Sequence, residues 1–170
     1  HRNAIYYVED IIRKEEPFSE WQIRNIHQLI LKNIDDDNAG RYRQQNVLIS
    51  GATTMPPDYT LLNDKMAQLV DWYNSESHTL HPIERAAKVH ADFVGIHPFI
   101  DGNGRTSRLL MNLELLKAGY PPCVITVENR LAYYEALDQW MAYGKTEAFI
   151  KLVSNAVIEG FKPSQVVLGL

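Results

Sequence analysis

Apolar residues recur at helical spacing along most of this chain, and proline and glycine interrupt the pattern after each short run. That punctuation constrains the fold more than any other feature. In the first run Ile5, Val8, Ile11 and Ile12 fall on one face, and Pro17 ends it. Ser19 caps the next helix, with Gln22 three residues on completing a capping box. This helix runs to about Lys32, with Trp21, Ile26, Leu29 and Ile30 expected inward. Asp35 to Gly40 is a polar turn. Its three adjacent carboxylates lack the alternating ligands and distal Glu of a calcium loop. Helices return from about Asp58 to Asn74 and from Pro82, well placed at a first helical position, to about Val94. Another spans about Asn103 to Ala118 and is closed by Gly119. Pro121-Pro122 forces an extended link through Val127. Two more helices follow, near Asn129–Tyr143 and Thr146–Phe161.

One stretch departs from this period. Residues 46–57 begin with the β-prone run Asn46 to Thr54, turn at Gly51 and stop at Pro56-Pro57. The expected class is all-α, a helical bundle of about seven or eight helices with one small β-hairpin. A lone hairpin is marginal by itself, so it either packs on the helices or stands exposed as a docking edge.

Length and charge narrow the functions. At 170 residues with 45% hydrophobic content, the chain suits a single domain with a real core. A net charge of −4 gives no general pull on nucleic acid or anionic membrane, so neither is an expected partner and any polyanion site must be local. The single cysteine, Cys123, sits between Pro122 and Val124 and reads as a small buried hydrophobe. No apolar run is long enough to cross a membrane and no signal peptide is visible, so a bacterial cytoplasmic location is expected. The chain opens inside a helical pattern, which reads as a fragment. The oligomeric state stays open, with a homo-oligomer among the alternatives.

The segment His97–Arg108 reads HPFIDGNGRTSR. Gly102 and Gly104 carry no side chains, so backbone N–H groups there can converge on one anion. The segment also opens a helix, whose first N–H groups lack internal partners and whose dipole is positive at that end. Arg105 and Arg108, three residues apart, share a face in the first turns. Cations there oppose the helix dipole by roughly 0.3–1 kcal/mol each, which a bound polyphosphate would reverse. Thr106 and Ser107, between the arginines, complete the stretch. Asp101 has two readings, a cap or salt-bridge partner for an arginine, and a magnesium ligand beside phosphates. Pro98 is expected to hold His97 in an extended backbone, and Phe99 to plug into the core. A neutral imidazole fixed beside phosphate can act as a general base. His78, His81 and His90 show no metal-ligand spacing with His97 and are expected in loops or core.

These residues resemble the Fic family. HPFIDGNGR matches the signature HPF-x-[DE]-G-N-[GK]-R at every position, and Arg108 matches the second arginine. Gly40-Arg41-Tyr42-Arg43, Pro56-Pro57, Trp72, His81-Pro82-Ile83-Glu84, Gly119-Tyr120-Pro121-Pro122 and Tyr133-Tyr134 follow in the family order. The resemblance covers about residues 19–161 and is strongest to the subset that includes an animal endoplasmic-reticulum enzyme. It implies one Fic catalytic domain over 1–170, the hairpin being the family's flap.

The resemblance further implies a protein adenylyltransferase. His97 would deprotonate a Ser, Thr or Tyr hydroxyl of a target protein, which would attack the α-phosphate of ATP. Asp101 would hold Mg²⁺. Gly102, Asn103 and Gly104 would bind the α- and β-phosphates, and Arg105 and Arg108 the β- and γ-phosphates. Ser50, Gly51, Ala52 and Thr53 would lie near the nucleotide, and the target would pair along the flap 46–57. Tyr133 would lie near the adenine, with Tyr134 a further candidate; helix patterning alone leaves both open to a core role. Many family members carry an inhibitory helix, [ST]-x-x-x-E-[GN], whose Glu pairs with the second arginine. Asn155 to Gly160 resembles it, but Asn155 replaces the Ser or Thr, so Glu159 is the lesser candidate and an upstream helix outside this chain the greater. The alternatives are AMP removal, another nucleotidyl or phosphoryl transfer, and a non-catalytic nucleotide sensor.

Overall fold

The structure, a computed structural model, describes residues 2–14 and 17–168, with side chains described over 6–14 and 17–162. Among these residues there are seven α-helices and no strand: α1 (Arg2–Lys14), α2 (Glu20–Leu31), α3 (Leu62–Ser75), α4 (Pro82–Ile96), α5 (Asn103–Lys117), α6 (Arg130–Tyr143) and α7 (Glu147–Leu168). Short 3-10 turns at Tyr59–Leu61 and Ser77–Thr79 lead into and out of α3.

Helices α4 and α5 pack along each other at the centre. One core cluster lies between them and α1–α3, built on Ile11, Ile26, Phe93, Phe99 and Leu110. A second lies between them and α6–α7, built on Ala87, Ala91, Met111, Phe149 and Val153. Burial on two sides explains why α5 buries polar residues, Asn103, Thr106, Ser107 and Glu114, along with its leucines and Met111. The small side chains of Ala86, Ala87 and Ala91 are fully buried on α4. Cys123 is buried as expected, and burial pushes its thiol up to about 12.

Ser19 caps α2, its Oγ accepting from Gln22 N at 3.2 Å, but the expected box is half formed, since the buried Gln22 side chain has no hydrogen-bond partner among the described residues; Pro82 opens α4 as expected. On α1, Val8 and Ile11 are buried and Ile12 half-buried, while the side chain of Ile5 lies outside the described residues. Trp21 is a correction: it is 66% exposed, not inward. It precedes the buried Ile30 by two and a half turns at about 3.6 residues per turn, which puts it on the opposite face.

The hairpin is the second correction. Residues 46–57 form no ladder; they run as an extended loop with a turn in which Ala52 N donates to Ile49 O at 3.1 Å. A two-stranded ribbon gains little in water, and here side chains supply the restraints instead. Asn46 bonds Asp58 and the N–H of Tyr59, at 2.8 and 2.9 Å. The guanidinium of Arg43 reaches both ends of the loop, donating to the carbonyls of Gln45 (2.8 Å) and Pro57 (2.6 Å).

Candidate active site

The loop 97–102 is held from three sides. His97 ends α4 in a left-handed conformation, φ 51° and ψ 56°, with its N–H on Phe93 O at 3.0 Å. The extended backbone expected from Pro98 is therefore not adopted. Proline disfavours the right-handed helical region for its predecessor, and a left-handed cap satisfies that while ending the helix. Arg43, nearly fully buried, donates from Nε to the His97 carbonyl at 2.9 Å, and its own N–H goes to Pro98 O. Phe99 is fully buried and stacks face to face on His27, ring centroids 3.5 Å apart. Asn103 closes the loop on itself: its side chain bonds both the N–H and the carbonyl of Phe99.

His27 is a support that sequence spacing did not reveal. Its Nδ1 accepts from Gly40 N at 2.9 Å, so its proton sits on Nε2, which donates to Asp101 O at 2.8 Å. Burial, the largest effect, holds its pKa below the usual histidine value. Gly102, at φ +79°, is needed here twice over: a Cβ would strain the backbone and come within 3.1 Å of His27 Nε2.

Helix α5 starts with no side-chain cap. Gly102 N donates to Asp101 Oδ1 at 2.6 Å, and Thr106 N closes the first turn onto Gly102 O. The N–H groups of Asn103, Gly104 and Arg105 precede the intrahelical ladder, at the positive end of the dipole. Asp101 Oδ2 accepts from Arg105 at 2.8 Å, with the Asp101 side chain 64% exposed. In this state the carboxylate thus pairs with Arg105 and bonds the N–H of Gly102, while the first-turn N–H groups of α5 stay without a side-chain cap. Thr106 and Ser107 are buried, Ser107 Oγ donating to Gly104 O, and serve the helix rather than the surface.

A cleft of about 680 Å³ opens beside this helix end. Ser50, Gly51 and Ala52 line one wall, Tyr133, Tyr134 and Asp138 of α6 another, and His97, Gly104 and Arg108 the floor. The cleft therefore gathers eight of the residues singled out from sequence. Asp101, Gly102, Asn103, Arg105, Thr106 and Ser107 are not among its walls, and Thr53 meets it only through Asp138. Tyr133 is 4% exposed and Tyr134 52%, so only Tyr134 offers an open ring face; Arg130 lies 5.7 Å above it. Glu159 pairs with Lys162 and lines a separate cleft from Arg108.

His97 is poised as a neutral ring. Desolvation, the largest cause, lowers its pKa, with the buried Arg43 cation adding to the effect. Its Nδ1 lies 3.3 Å from Val94 O, which favours the tautomer protonated there and leaves the Nε2 lone pair available.

The sequence profile of the Fic/DOC family matches residues 17–115, more than half of the chain. The chain belongs to the Fic/DOC family. It is 41% identical to the protein adenylyltransferase fic-1 of Caenorhabditis elegans over 84% of this chain and 28% of that protein. It is 42% identical to the protein adenylyltransferase Fic of Nematostella vectensis over 89% of this chain and 35% of that one. The chain thus spans about a third of the length of these curated relatives. They are animal proteins and give no support to a bacterial origin. Among solved Fic structures, Fic-1 from C. elegans superposes with a TM-score of 0.84 at 31% identity, covering 98% of this chain and 50% of that one. A Fic-domain signalling protein from Bacteroides thetaiotaomicron gives 0.82 at 29% identity, covering 94% and 66%. No described helix is long and apolar enough to cross a membrane.

Proposed function

We propose that this Fic chain is the catalytic unit of a protein adenylyltransferase, moving AMP from ATP to a Ser, Thr or Tyr hydroxyl of a target protein. The observation that carries the reading is the single cleft in which His97 faces the uncapped start of α5 and Arg108. An uncapped helix end with glycine at its second residue is an anion site, and Arg108 adds a fixed charge for a polyphosphate. The backbone of Asn103 and Gly104 would hold α- and β-phosphates, with Arg105 and Arg108 toward the β- and γ-phosphates. His97 Nε2 would take the proton as the hydroxyl oxygen forms its bond to the α-phosphorus. The bond from that phosphorus to the oxygen bridging it to the β-phosphate breaks, and pyrophosphate leaves with the electron pair. Tyr134, with its open face, would meet the adenine.

Asp101 fits a magnesium site. No cluster of three or more His, Cys, Asp or Glu among the described residues suits a metal, but magnesium beside a nucleotide needs only one or two carboxylates. Asp101 supplies one, exposed at the helix end, and would exchange Arg105 for the ion. The ion would neutralise phosphate charge. The segment 46–57 would serve as the target-docking edge through its backbone, flanked by the exposed Leu48 and Met55. Residues 1–170 would form one catalytic domain, with an inhibitory carboxylate supplied by an upstream helix.

The test is transfer of label to protein from ATP carrying phosphorus-32 at either the α or the γ position. Transfer from the α position only, lost in His97→Ala, is expected. Transfer from the γ position only, or unchanged labelling by His97→Ala, overturns the reading.

A further inference from the structure

Arg43 is 3% exposed, and among the described residues its guanidinium forms no ion pair. The Asp58 carboxylate acts on it only at a distance. Its hydrogen bonds go to main-chain carbonyls instead. Nε donates to His97 at 2.9 Å, one terminal nitrogen to Gln45 at 2.8 Å and the other to Pro57 at 2.6 Å. Its backbone N–H adds a fourth bond, to Pro98 at 2.9 Å. Burying a cation without a carboxylate partner is unfavourable, and apolar packing would staple a fold at less cost.

What the guanidinium joins supplies a reason. Gln45 and Pro57 bracket the loop 46–57, and His97 carries the imidazole of the cleft. The donors of a guanidinium stand at fixed angles in one plane, so a single rigid group spans all three. His97 holds a positive φ, uncommon for a residue with a Cβ, and that backbone sets where its ring points. The ring itself has a contact with Val94 O, while the carbonyl is fixed from Arg43. A displacement of either end of the loop therefore reaches His97 through the guanidinium.

Resting on the reading of His97 as the general base, we propose that Arg43 is a positioning residue that couples the loop 46–57 to His97. A strand of target protein docked along the loop fixes its two ends, and Arg43 passes that restraint to the backbone of the base. The base is thus held most firmly when a target is in place. Because each bond ends on a main-chain carbonyl, the coupling depends on Arg43 and not on the side chains of its partners.

The test follows the His97 ring by NMR of the histidine-labelled chain, its signal assigned with His97→Ala. Asp138→Ala releases the loop on the cleft side, whereas Asp138→Asn removes the same charge and keeps the two hydrogen bonds to Thr53. The asparagine variant is the control for charge, since Arg43 and Asp101 act on the ring and Arg108, Arg130, Glu135 and Asp138 share its cleft. In the wild-type background Asp138→Ala is expected to shift the His97 signal further than Asp138→Asn does. In Arg43→Lys, which keeps the cation and loses the fork, the two should give the same shift. The titration midpoint of His97 should stay below 6.5 in Arg43→Lys and rise toward 6.5 in the neutral Arg43→Gln. Labelling from α-labelled ATP should fall roughly ten- to a hundredfold in Arg43→Lys, the scale for a group misplaced by about 1 Å. Circular dichroism verifies folding, and if Arg43→Lys does not fold, Arg43→Gln carries the same comparison. A staple that only holds the fold would lower the melting temperature and leave the His97 signal alone. Equal shifts from the two Asp138 variants in the wild-type background, or an extra shift that survives in Arg43→Lys, overturn the coupling. A wild type that transfers no label overturns the reading of function, and the NMR comparison still decides the coupling.

Discussion

Asp138 holds Thr53 with both carboxylate oxygens: Oδ1 accepts from the backbone N–H and Oδ2 from the hydroxyl, each at 2.6 Å. Eighty-five residues separate them in sequence, and together they pin the loop 46–57 to α6 across the mouth of the cleft. The hydrogen bonds also hold the Asp138 carboxyl below its usual pKa, so the latch stays closed across neutral pH. With no ladder inside the loop, this is its main tie on the cleft side. Asp138→Ala is expected to raise KM for ATP roughly five- to tenfold with a smaller change in kcat, and to speed proteolytic nicking within 46–57. Asp138→Asn, which can accept from the N–H and donate to the hydroxyl, should stay near wild type. Steady-state transfer kinetics and limited proteolysis check both; equal defects in the two variants would deny the latch.

The two glycines of the helix start should separate cleanly. Gly102→Ala forces a positive φ on an L-residue and presses a methyl onto His27. The backbone part alone costs about 1–2 kcal/mol, before any shift of His27 and of the Asp101 carbonyl it holds. At Gly104 an added Cβ meets only Arg108 at 3.5 Å, and the position is helical. Gly104→Ala should therefore keep or raise the melting temperature, alanine being the better helix former by up to about 1 kcal/mol. It should still lower ATP affinity, because the methyl enters the cleft floor. Melting curves and ATP titrations of the two variants test this, and a melting temperature that falls as far in Gly104→Ala as in Gly102→Ala would refute it.

What the sequence disclosed and what it hid follow one physical division. Helix positions were readable because the apolar period and the capping residues act within a few neighbours; Ser19 and Pro82 are such local signals. The same period places Trp21 outward, and only its bulk suggested the core. The run Val47-Leu48-Ile49 is β-prone, yet a strand exists only with a partner, and none pairs with it. The loop His97–Arg108 was readable because its chemistry is contiguous. Arg43, His27, His90 and Asp138 were not, since each acts on a residue 43 or more positions away along the chain or across a turn that only the fold creates. Even within the loop, the left-handed backbone of His97 is set by its capping of α4 and by Arg43, not by Pro98 alone.

The pH dependence of transfer should carry the signature of His97. Its ring is desolvated and sits near Arg43, so its pKa lies below the usual 6.5. A general base works only when neutral; activity is therefore full at pH 7 and falls as pH drops through that lowered value. The acid limb of kcat/KM for a saturated target is expected below pH 6.5, with a slope of one. An acid limb centred above 6.5 would assign the base to another group.

Stability should fall in the same range, for a related reason with a different readout. His27, His90 and His97 all have pKa values lowered in the native state, burial being the largest cause for each, and His90 is taken down to about 3. Below pH 6.5 the unfolded chain binds protons that these native rings refuse, so unfolding gains with falling pH. For His90 alone, going from pH 7 to 5 removes roughly 2 kcal/mol, from a reference value near 6.5 and a native one near 3. The carboxylates held low, Asp58 at about 2 and Asp138, give up their contributions only at more acid pH and do not confuse this window. Urea midpoints between pH 7 and 5 should thus decline steadily in the wild type. In His90→Leu the starting stability differs, but the decline over the same interval should be shallower by about that amount. A decline just as steep in the variant would mean that His90 titrates in the native protein, and the neutral ring assigned to it would have to be given up.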